Sequence, residues 1–180
     1  WHDYDSPILP PIISPVPSVN TLEQKILVYL PWESSHTISQ ALLSFTDYEF
    51  FIYHDIPRKK REKNLFWHPY APTFLDDLAS SSGVISNAGF ELPSEALSAG
   101  KKLLVKPLKG QAEQEANALA LKQLGLGMVS TDLSSQDISF WLDRSTSSKI
   151  PVMHDVQPLL EWIEKGNWSS IDSLKKQYWS

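Results

Sequence analysis

A turn of small and polar residues in the middle of the chain has the residue types needed to hold an anion. Asn87, Ala88, Gly89 and Phe90 follow the short apolar run that ends at Ser86, and they precede a helical pattern. Glycine lets a ligand approach the backbone closely, and a helix start offers N–H groups to a phosphate. Turns of this kind also join strands to helices where no ligand binds, so the local pattern leaves both interpretations open.

An acidic residue, Glu95, follows this turn on the predicted helix, six residues after Gly89. At that distance its carboxylate would lie near the rim of a pocket, where it can accept hydrogen bonds from both hydroxyls of a ribose. The alternative is a glutamate on the surface near a helix N-terminus, where the helix dipole favours negative charge. From the residue alone, the second interpretation is favoured.

A second polar group opens the next predicted helix. Its loop follows a strand that ends at Pro107, so it should open on the same edge of the sheet. Polar side chains there can hydrogen-bond the hydroxyls of a sugar, and the alternative is a solvated helix face. The residues concerned are Gln111, Glu113, Gln114 and Asn117.

Alternating strand and helix patterns must position these residues. Apolar runs predict strands over residues 25–30, 48–53, 64–68, 84–86, 102–106 and 127–130. Helical spacing predicts helices over residues 36–44, 72–80, 92–99, 111–124, 135–142, 156–165 and 169–178. We therefore expect an α/β Rossmann-like domain over residues 21–180, with a parallel sheet in three α/β/α layers. The proline-rich residues 1–20 predict an extended linker and not a packed element.

Composition excludes several function classes. The 180 residues carry a net charge of −5, which argues against non-specific binding of nucleic acid. There is no cysteine, and the five histidines lack the spacing of a metal site, so we expect neither a metal nor a cofactor. No apolar run is long enough to span a membrane, and no signal peptide is recognised, which predicts a cytoplasmic protein. The first residue is Trp1, which suggests a piece of a longer protein.

Two other polar segments have an ordinary interpretation. The basic run over residues 58–63 is of a kind that contacts membranes or nucleic acids, but a short run in an acidic chain favours a solvated loop. Ser34 and Ser35 follow the first strand and could donate to a phosphate. Capping of the following helix is the favoured role for them.

The segment over residues 83–127 resembles the C-terminal, donor-binding domain of GT-B glycosyltransferases. It is similar to the glycosyltransferase family 28 C-terminal domain, to which the enzyme that completes lipid II belongs, and to the UDP-glycosyltransferases. The shared positions occur here in order: a turn with Gly89, then Glu95, Gly100, a strand ending at Pro107, the pair Glu113–Gln114, Asn117-Ala118 and Gly125.

The resemblance implies a role for several residues. Gly89 and the backbone beside it would meet the pyrophosphate of a nucleotide-diphosphate sugar, and Glu95 would bind the ribose. Glu113 and Gln114 would face the donor sugar, which is a UDP-sugar in most of these families. Asn87 stands where plant-type enzymes have a histidine, so their phosphate contacts are not carried over in full.

Trp67 is a further candidate that comes from the resemblance. UDP-glycosyltransferases have a Trp-x-Pro-Gln motif whose tryptophan stacks on uracil, and the corresponding residues here run from Trp67 to Tyr70, with tyrosine in place of glutamine. An aromatic ring over a base is physically reasonable. The alternative is a tryptophan of the hydrophobic core.

The resembling enzymes transfer a sugar with inversion and without a bound metal, using a base in their N-terminal domain. The catalytic residue of this protein is therefore unknown, and we expect this chain alone to bind a donor without turning it over. The missing N-terminal domain would be its partner, and the full-length protein could contact the inner membrane face. The rival functions are a UDP-sugar 2-epimerase domain and a non-catalytic interaction module on the same scaffold. An NAD-binding domain is disfavoured because no G-x-G-x-x-G follows the first strand.

Overall fold

A single sheet organises the part of the chain that the computed structural model describes, which comprises residues 9–144, 149–166 and 171–179. Seven strands among these residues form the sheet. In chain order they are β1 (Leu22–Tyr29), β2 (Glu49–Tyr53), β3 (Lys60–Glu62), β4 (Leu65–His68), β5 (Ser81–Asn87), β6 (Lys102–Lys106) and β7 (Met128–Val129).

The strand order is β3-β4-β2-β1-β5-β6-β7, and every neighbouring pair is parallel except β3 and β4. The chain first moves outward from β1 to β2 and β4, and then returns to place β5 on the other side of β1. In open parallel sheets, this reversal opens a crevice at the carboxyl ends of the strands. The loops after β1 and β5 border that crevice.

Helices cover both faces of the sheet, which confirms the predicted α/β Rossmann-like fold with three layers. The helices are α1 (Ser35–Leu42), α2 (Phe74–Ser80), α3 (Glu91–Ser98), α4 (Ala112–Gln123), α5 (Ser135–Leu142), α6 (Gln157–Glu164) and α7 (Asp172–Trp179). Helices α1 and α5 pack on one face, and α2, α3 and α4 pack on the other.

Alternation along the strands assigns each side chain to one of two cores. Ile26 and Ile52 belong to the core under α1 and α5, whereas Leu27 and Tyr53 belong to the core under α2, α3 and α4. Neighbouring residues on a strand point to opposite faces of the sheet. A shift of one residue in the register would therefore move every side chain of that strand to the other core.

Local chemistry explains where the helices begin and end. The Ser34 hydroxyl accepts a hydrogen bond from the Thr37 backbone N–H at 3.1 Å, which caps α1 as the sequence favoured. Gly100 and Gly125 follow α3 and α4 with φ of 72° and 67°, a left-handed conformation that ends a helix with little strain only at glycine.

The structure differs from the sequence prediction at the basic run. Lys60–Glu62 form a short edge strand that pairs antiparallel with β4, so the prediction of a loop throughout residues 58–63 is wrong. The Arg61 guanidinium lies 4.4 Å from the centre of the Phe66 ring, which gives a charged segment a partner on the neighbouring strand. Charged residues are common on edge strands because they discourage pairing with other chains.

The proline-rich segment is extended over its described residues 9–20, but it packs against the domain. Ile12 forms a parallel bridge with Met153, the Met153 N–H donates to the Pro11 carbonyl at 2.8 Å, and Ile13 is buried. The contact joins two segments distant in sequence, which local composition does not reveal. Residues 1–8 of the predicted linker, and the predicted start of the last helix at Ser169, lie outside the described residues.

Candidate functional site

A cavity of about 360 Å³ opens at the carboxyl edge of the sheet, beside the reversal between β1 and β5. It lies on the face covered by α2 and α3. Its wall combines the ends of two strands, the loop after β4 and the first turns of α3. The lining residues are Tyr29, Tyr53, Tyr70, Ala71, Phe74, Leu75, Glu91, Leu92 and Glu95.

The carboxylate that the sequence singled out, Glu95, lies in the wall of this cavity. Its residue is only 9% exposed, and the ion pairs among the described residues do not include it. Burial raises the pKa of Glu95 above its ordinary value, and the nearby Glu91 carboxylate raises it further. A buried carboxylate of this kind favours a ligand that donates hydrogen bonds to it.

Three tyrosines, Tyr29, Tyr53 and Tyr70, line the same cavity as Glu95. The Tyr29 ring packs edge-on against Tyr70 at 6.0 Å and against Phe74 at 5.6 Å, measured between ring centres. Tyr70 is 53% exposed, so it is accessible to a ligand. The wall thus combines aromatic rings with carboxylates, which suits a molecule with a flat ring and several hydroxyls.

Tyr53 anchors the cavity to α2. Its hydroxyl donates to the Asp77 carboxylate at 2.6 Å and shares a hydrogen bond of 2.9 Å with the Thr73 hydroxyl. Burial and the Asp77 carboxylate raise the pKa of the Tyr53 phenol. The other oxygen of Asp77 accepts from the Lys25 ammonium at 2.7 Å. These hydrogen bonds therefore fix the orientation of the Tyr53 side chain in the cavity wall.

The predicted anion-binding turn borders the same edge of the sheet. A Cβ added at Gly89 would meet no atom within 4 Å, so open space adjoins the backbone there. Its φ is not in the left-handed region, so the glycine matters for access and not for backbone conformation. No side chain caps α3, which begins at this edge of the sheet with Glu91 and Leu92 before Pro93.

The polar residues predicted on α4 divide into two groups. Gln114 and Asn117 are buried and bind the backbone: the Gln114 side-chain oxygen accepts from the Leu108 N–H at 3.0 Å, and the Asn117 amide donates to the Ala88 carbonyl at 3.2 Å. They therefore shape the two loops of the edge. Gln111 and Glu113 are exposed at the start of α4 and remain accessible to a ligand.

The structure adds an ion pair that sequence reasoning missed. Lys106 ends β6 and forms a largely buried ion pair with Glu33, in the loop after β1. The Asn87 amide donates to the Lys106 carbonyl at 2.9 Å, and a ring nitrogen of His54 lies 2.9 Å from the Glu33 carbonyl. In the sequence, only the positions of these four residues could have indicated the cluster. Each ends or follows a strand, and the carboxyl ends of those strands meet at this edge.

Trp67 lies apart from the cavity. It is 2% exposed and packs in the core under α1 and α5, on the face of the sheet opposite to Glu95. This position agrees with the core tryptophan that the sequence left open as an alternative. Tyr70, three residues later in the loop after β4, is the residue of this segment that reaches the cavity.

Among the described residues, no group of three or more histidine, cysteine or acidic side chains is arranged to hold a metal ion. No helix in the described ranges combines the length and apolarity that crossing a bilayer requires.

Comparison with known proteins gives a family and a fold. The model of glycosyl transferase family 1 matches residues 4–145, which is more than half of the chain. No curated protein matches.

Glycosyltransferases are among the solved structures that match. The spinosyn forosaminyltransferase SpnP has a TM-score of 0.59 at 17% identity, over 82% of this chain and 47% of its own length. The glycosyltransferase SnogD from Streptomyces nogalater has a TM-score of 0.52 at 22% identity, over 76% of this chain and 37% of its own. ALG13 has a TM-score of 0.50 at 14% identity, over 82% of this chain and 98% of its own. The chain thus spans less than half the length of SpnP and SnogD, and it shares the fold of one half of each.

Proposed function

Because this chain belongs to glycosyl transferase family 1, we propose that it is the donor-binding domain of a glycosyltransferase and holds a nucleotide-diphosphate sugar at the carboxyl edge of its sheet. The observation that carries this proposal is the buried Glu95 carboxylate in an aromatic cavity beside the strand reversal. Such a reversal is where nucleotides bind in open parallel sheets.

The ribose is the part of the donor that Glu95 binds in this proposal. Both ribose hydroxyls donate hydrogen bonds, and an ionised carboxylate offers two acceptor oxygens to them. Burying the ionised Glu95 carboxylate without hydrogen-bond donors costs free energy. The ribose hydroxyls would supply those donors and so remove part of that cost. The base would then lie against the Tyr29 and Tyr70 rings, which pack together in the wall of the same cavity.

The pyrophosphate belongs at the turn between β5 and α3. The open space at Gly89 admits a phosphate to the backbone, and the start of α3 offers a positive dipole end with the backbone N–H groups of Glu91 and Leu92. The sugar would extend toward Gln111 and Glu113 at the start of α4. In this arrangement no metal is bound, since the helix end offsets part of the phosphate charge.

The transfer itself requires a second part of the protein. Inverting transfer needs a base that removes the proton of the acceptor hydroxyl. We assign that base and the acceptor site to an N-terminal domain, because the chain spans less than half of the glycosyltransferases SpnP and SnogD. The chain alone would bind the donor without transferring sugar. We further propose a cytoplasmic location, with a peripheral contact of the full-length protein to the inner membrane face.

Calorimetry with UDP, GDP, TDP and CDP tests the donor site. We expect one of the four, with UDP as the first candidate, to bind the wild-type chain. Glu95→Ala should weaken that binding by roughly tenfold or more, because hydrogen bonds to a charged group are lost. Glu49→Ala is the matched control, since this exposed glutamate begins β2 at the opposite edge of the sheet.

The outcomes separate this proposal from its rivals. Binding that is equal in wild type and Glu95→Ala would remove Glu95 from the site. Absence of binding with all four diphosphates would instead favour a non-catalytic module on this scaffold. Conversion of UDP-N-acetylglucosamine to its 2-epimer by the full-length protein would favour an epimerase.

A further inference from the structure

A second cavity, of about 400 Å³, lies at the amino edge of the sheet, opposite to the proposed donor site. It forms where the segment before β1, the ends of α2 and α3, and the segment after α5 meet. Its polar lining consists of Ser18, Thr21, Ser98, Lys101, Lys149 and His154. The rest of the wall is small and apolar, with Val16, Pro17 and Val19 among its residues.

Lys101 is the buried cation of this cavity, and only 5% of it is exposed. Its ammonium donates to the Ala79 carbonyl at 2.6 Å and to the Thr21 hydroxyl at 3.2 Å. These neutral partners orient the ammonium but do not neutralise it. Burial lowers the pKa of Lys101 and the neighbouring Lys149 lowers it further, while the Glu23 carboxylate acts in the opposite direction. Two like charges are thus held close to each other at one polar cavity.

No carboxylate lies within ion-pair distance of either lysine among the described residues. The cavity lining contains neither aspartate nor glutamate, and the Glu23 carboxylate, outside the lining, offsets the Lys101 charge only in part. His154 lines the wall as well, and its Nδ1 donates to the Ile13 carbonyl at 3.1 Å. A buried charge without an ion-pair partner is costly, so the cavity favours an anion over water alone.

We propose that this amino-edge cavity is a second ligand site, which binds the phosphate monoester of a small organic molecule. A phosphate monoester carries between one and two negative charges near neutral pH, which matches the two lysines. The serine and threonine hydroxyls add neutral donors. The volume is in the range of small-molecule sites, and the mostly polar lining suits an organic part that carries hydroxyls, such as a sugar.

The position of the site predicts that its ligand stabilises the folded protein. Residues 16–21 and 149–154 come from segments far apart in the chain, and both border the cavity. A ligand that bridges Lys101 and Lys149 therefore ties these segments to the sheet and stabilises the folded protein by mass action. Because the two cavities lie at opposite edges, this ligand and a nucleotide diphosphate bind independently.

Calorimetry and thermal unfolding with glucose 6-phosphate test this proposal, at constant ionic strength and with glucose and inorganic phosphate as reference ligands. We expect glucose 6-phosphate to bind the wild type more tightly than either reference and to raise its unfolding temperature. Lys149→Gln should weaken that binding by roughly tenfold, since a charge-assisted hydrogen bond is lost. Lys149 is exposed, so the substitution leaves the core intact.

The control variant is Lys122→Gln, which removes an exposed lysine from the last turn of α4 and should not change the binding. Glu95→Ala should also leave it unchanged, which separates this site from the donor site. Absence of binding in the wild type, equal affinity in Lys149→Gln, or equal affinity for inorganic phosphate would overturn the proposal. Displacement of glucose 6-phosphate by a nucleotide diphosphate would overturn it too.

Discussion

The two edges of the sheet carry cavities of opposite charge. The carboxyl-edge cavity is lined by Glu91 and Glu95 among tyrosines, whereas the amino-edge cavity is lined by Lys101 and Lys149 among hydroxyls. Both edges contain a charged residue that is almost fully buried, and the described residues supply neither with an ion-pair partner. Ion pairing therefore does not explain how these charges are tolerated.

Helix ends supply part of the explanation. In a parallel α/β fold the helices run opposite to the strands, so helices begin at the carboxyl edge and finish at the amino edge. Lys101 donates to the Ala79 carbonyl in the last turn of α2, at a negative dipole end. At the other edge the dipole favours Glu91, in the first turn of α3, whereas the buried Glu95 lies beyond that turn. A helix end therefore helps to explain the buried lysine but not the buried glutamate.

Asp77 joins α2 to Lys25 in β1 and to Tyr53 at the end of β2, and its loss should have the largest effect. Asp77→Ala leaves the mostly buried Lys25 without its counter-ion and Tyr53 without one acceptor. We expect the free energy of unfolding to fall by about 3 kcal/mol, because one partner of a mostly buried ion pair remains. Urea denaturation measures this change.

The control for that prediction is Asp76→Ala, since Asp76 is an exposed acid on the same helix turn. It should change the free energy of unfolding by less than about 0.5 kcal/mol. Equal effects of the two substitutions would mean that the Asp77 network does not hold α2 to the sheet.

The buried Glu95 carboxylate should make the free energy of unfolding depend on pH. The folded-state pKa of Glu95 is raised above 4.5, so between 4.5 and the raised value the folded protein binds more protons than the unfolded chain. Stability contributed by this group therefore falls as pH rises through that window. Glu95→Gln should remove the loss and be more stable than wild type above the window, with little difference below pH 4.5. Urea denaturation across this pH range that gives parallel curves for the two proteins would contradict the prediction.

The exposed aromatic wall should affect binding but not folding. Tyr70→Ala should weaken nucleotide diphosphate binding by about threefold to tenfold, which corresponds to about 1 kcal/mol for one aromatic contact. Its unfolding temperature should stay within error because the ring is half exposed. Phe140→Ala, which removes an exposed ring of α5 on the opposite face, is the control. Weakening by Trp67→Ala but not by Tyr70→Ala would restore Trp67 as the base contact.

Much of the fold follows from local sequence patterns. The predicted bounds of β6 and α5 coincide with Lys102–Lys106 and Ser135–Leu142 because their apolar spacing and flanking residues are unambiguous. The edge strand β3 was missed because its residues are all charged, and only its pairing with β4 makes it a strand. Edge strands depend on a partner more than on their own composition.

The candidate site was predictable in part. Position after a strand predicted that Gly89 and Glu95 lie at the carboxyl edge, since parallel strands end together there. The division of the α4 residues was not predictable. Gln114 and Asn117 hydrogen-bond backbone groups in the two loops, and those distances are set by how the helix packs.

The sequence by itself determined the order of elements, the α/β class and the order of the shared positions within residues 83–127. Periodicity and turn residues act over short distances along the chain, so they can be recognised without the tertiary structure. Only the tertiary structure decided which side chains share a cavity. It brought Tyr29, Tyr70 and Glu95 together and placed Trp67 on the other face. It also brought Lys149 beside Lys101, which comes almost fifty residues earlier. Strand order and sheet face fix these neighbours, and both depend on packing between segments that are distant in sequence.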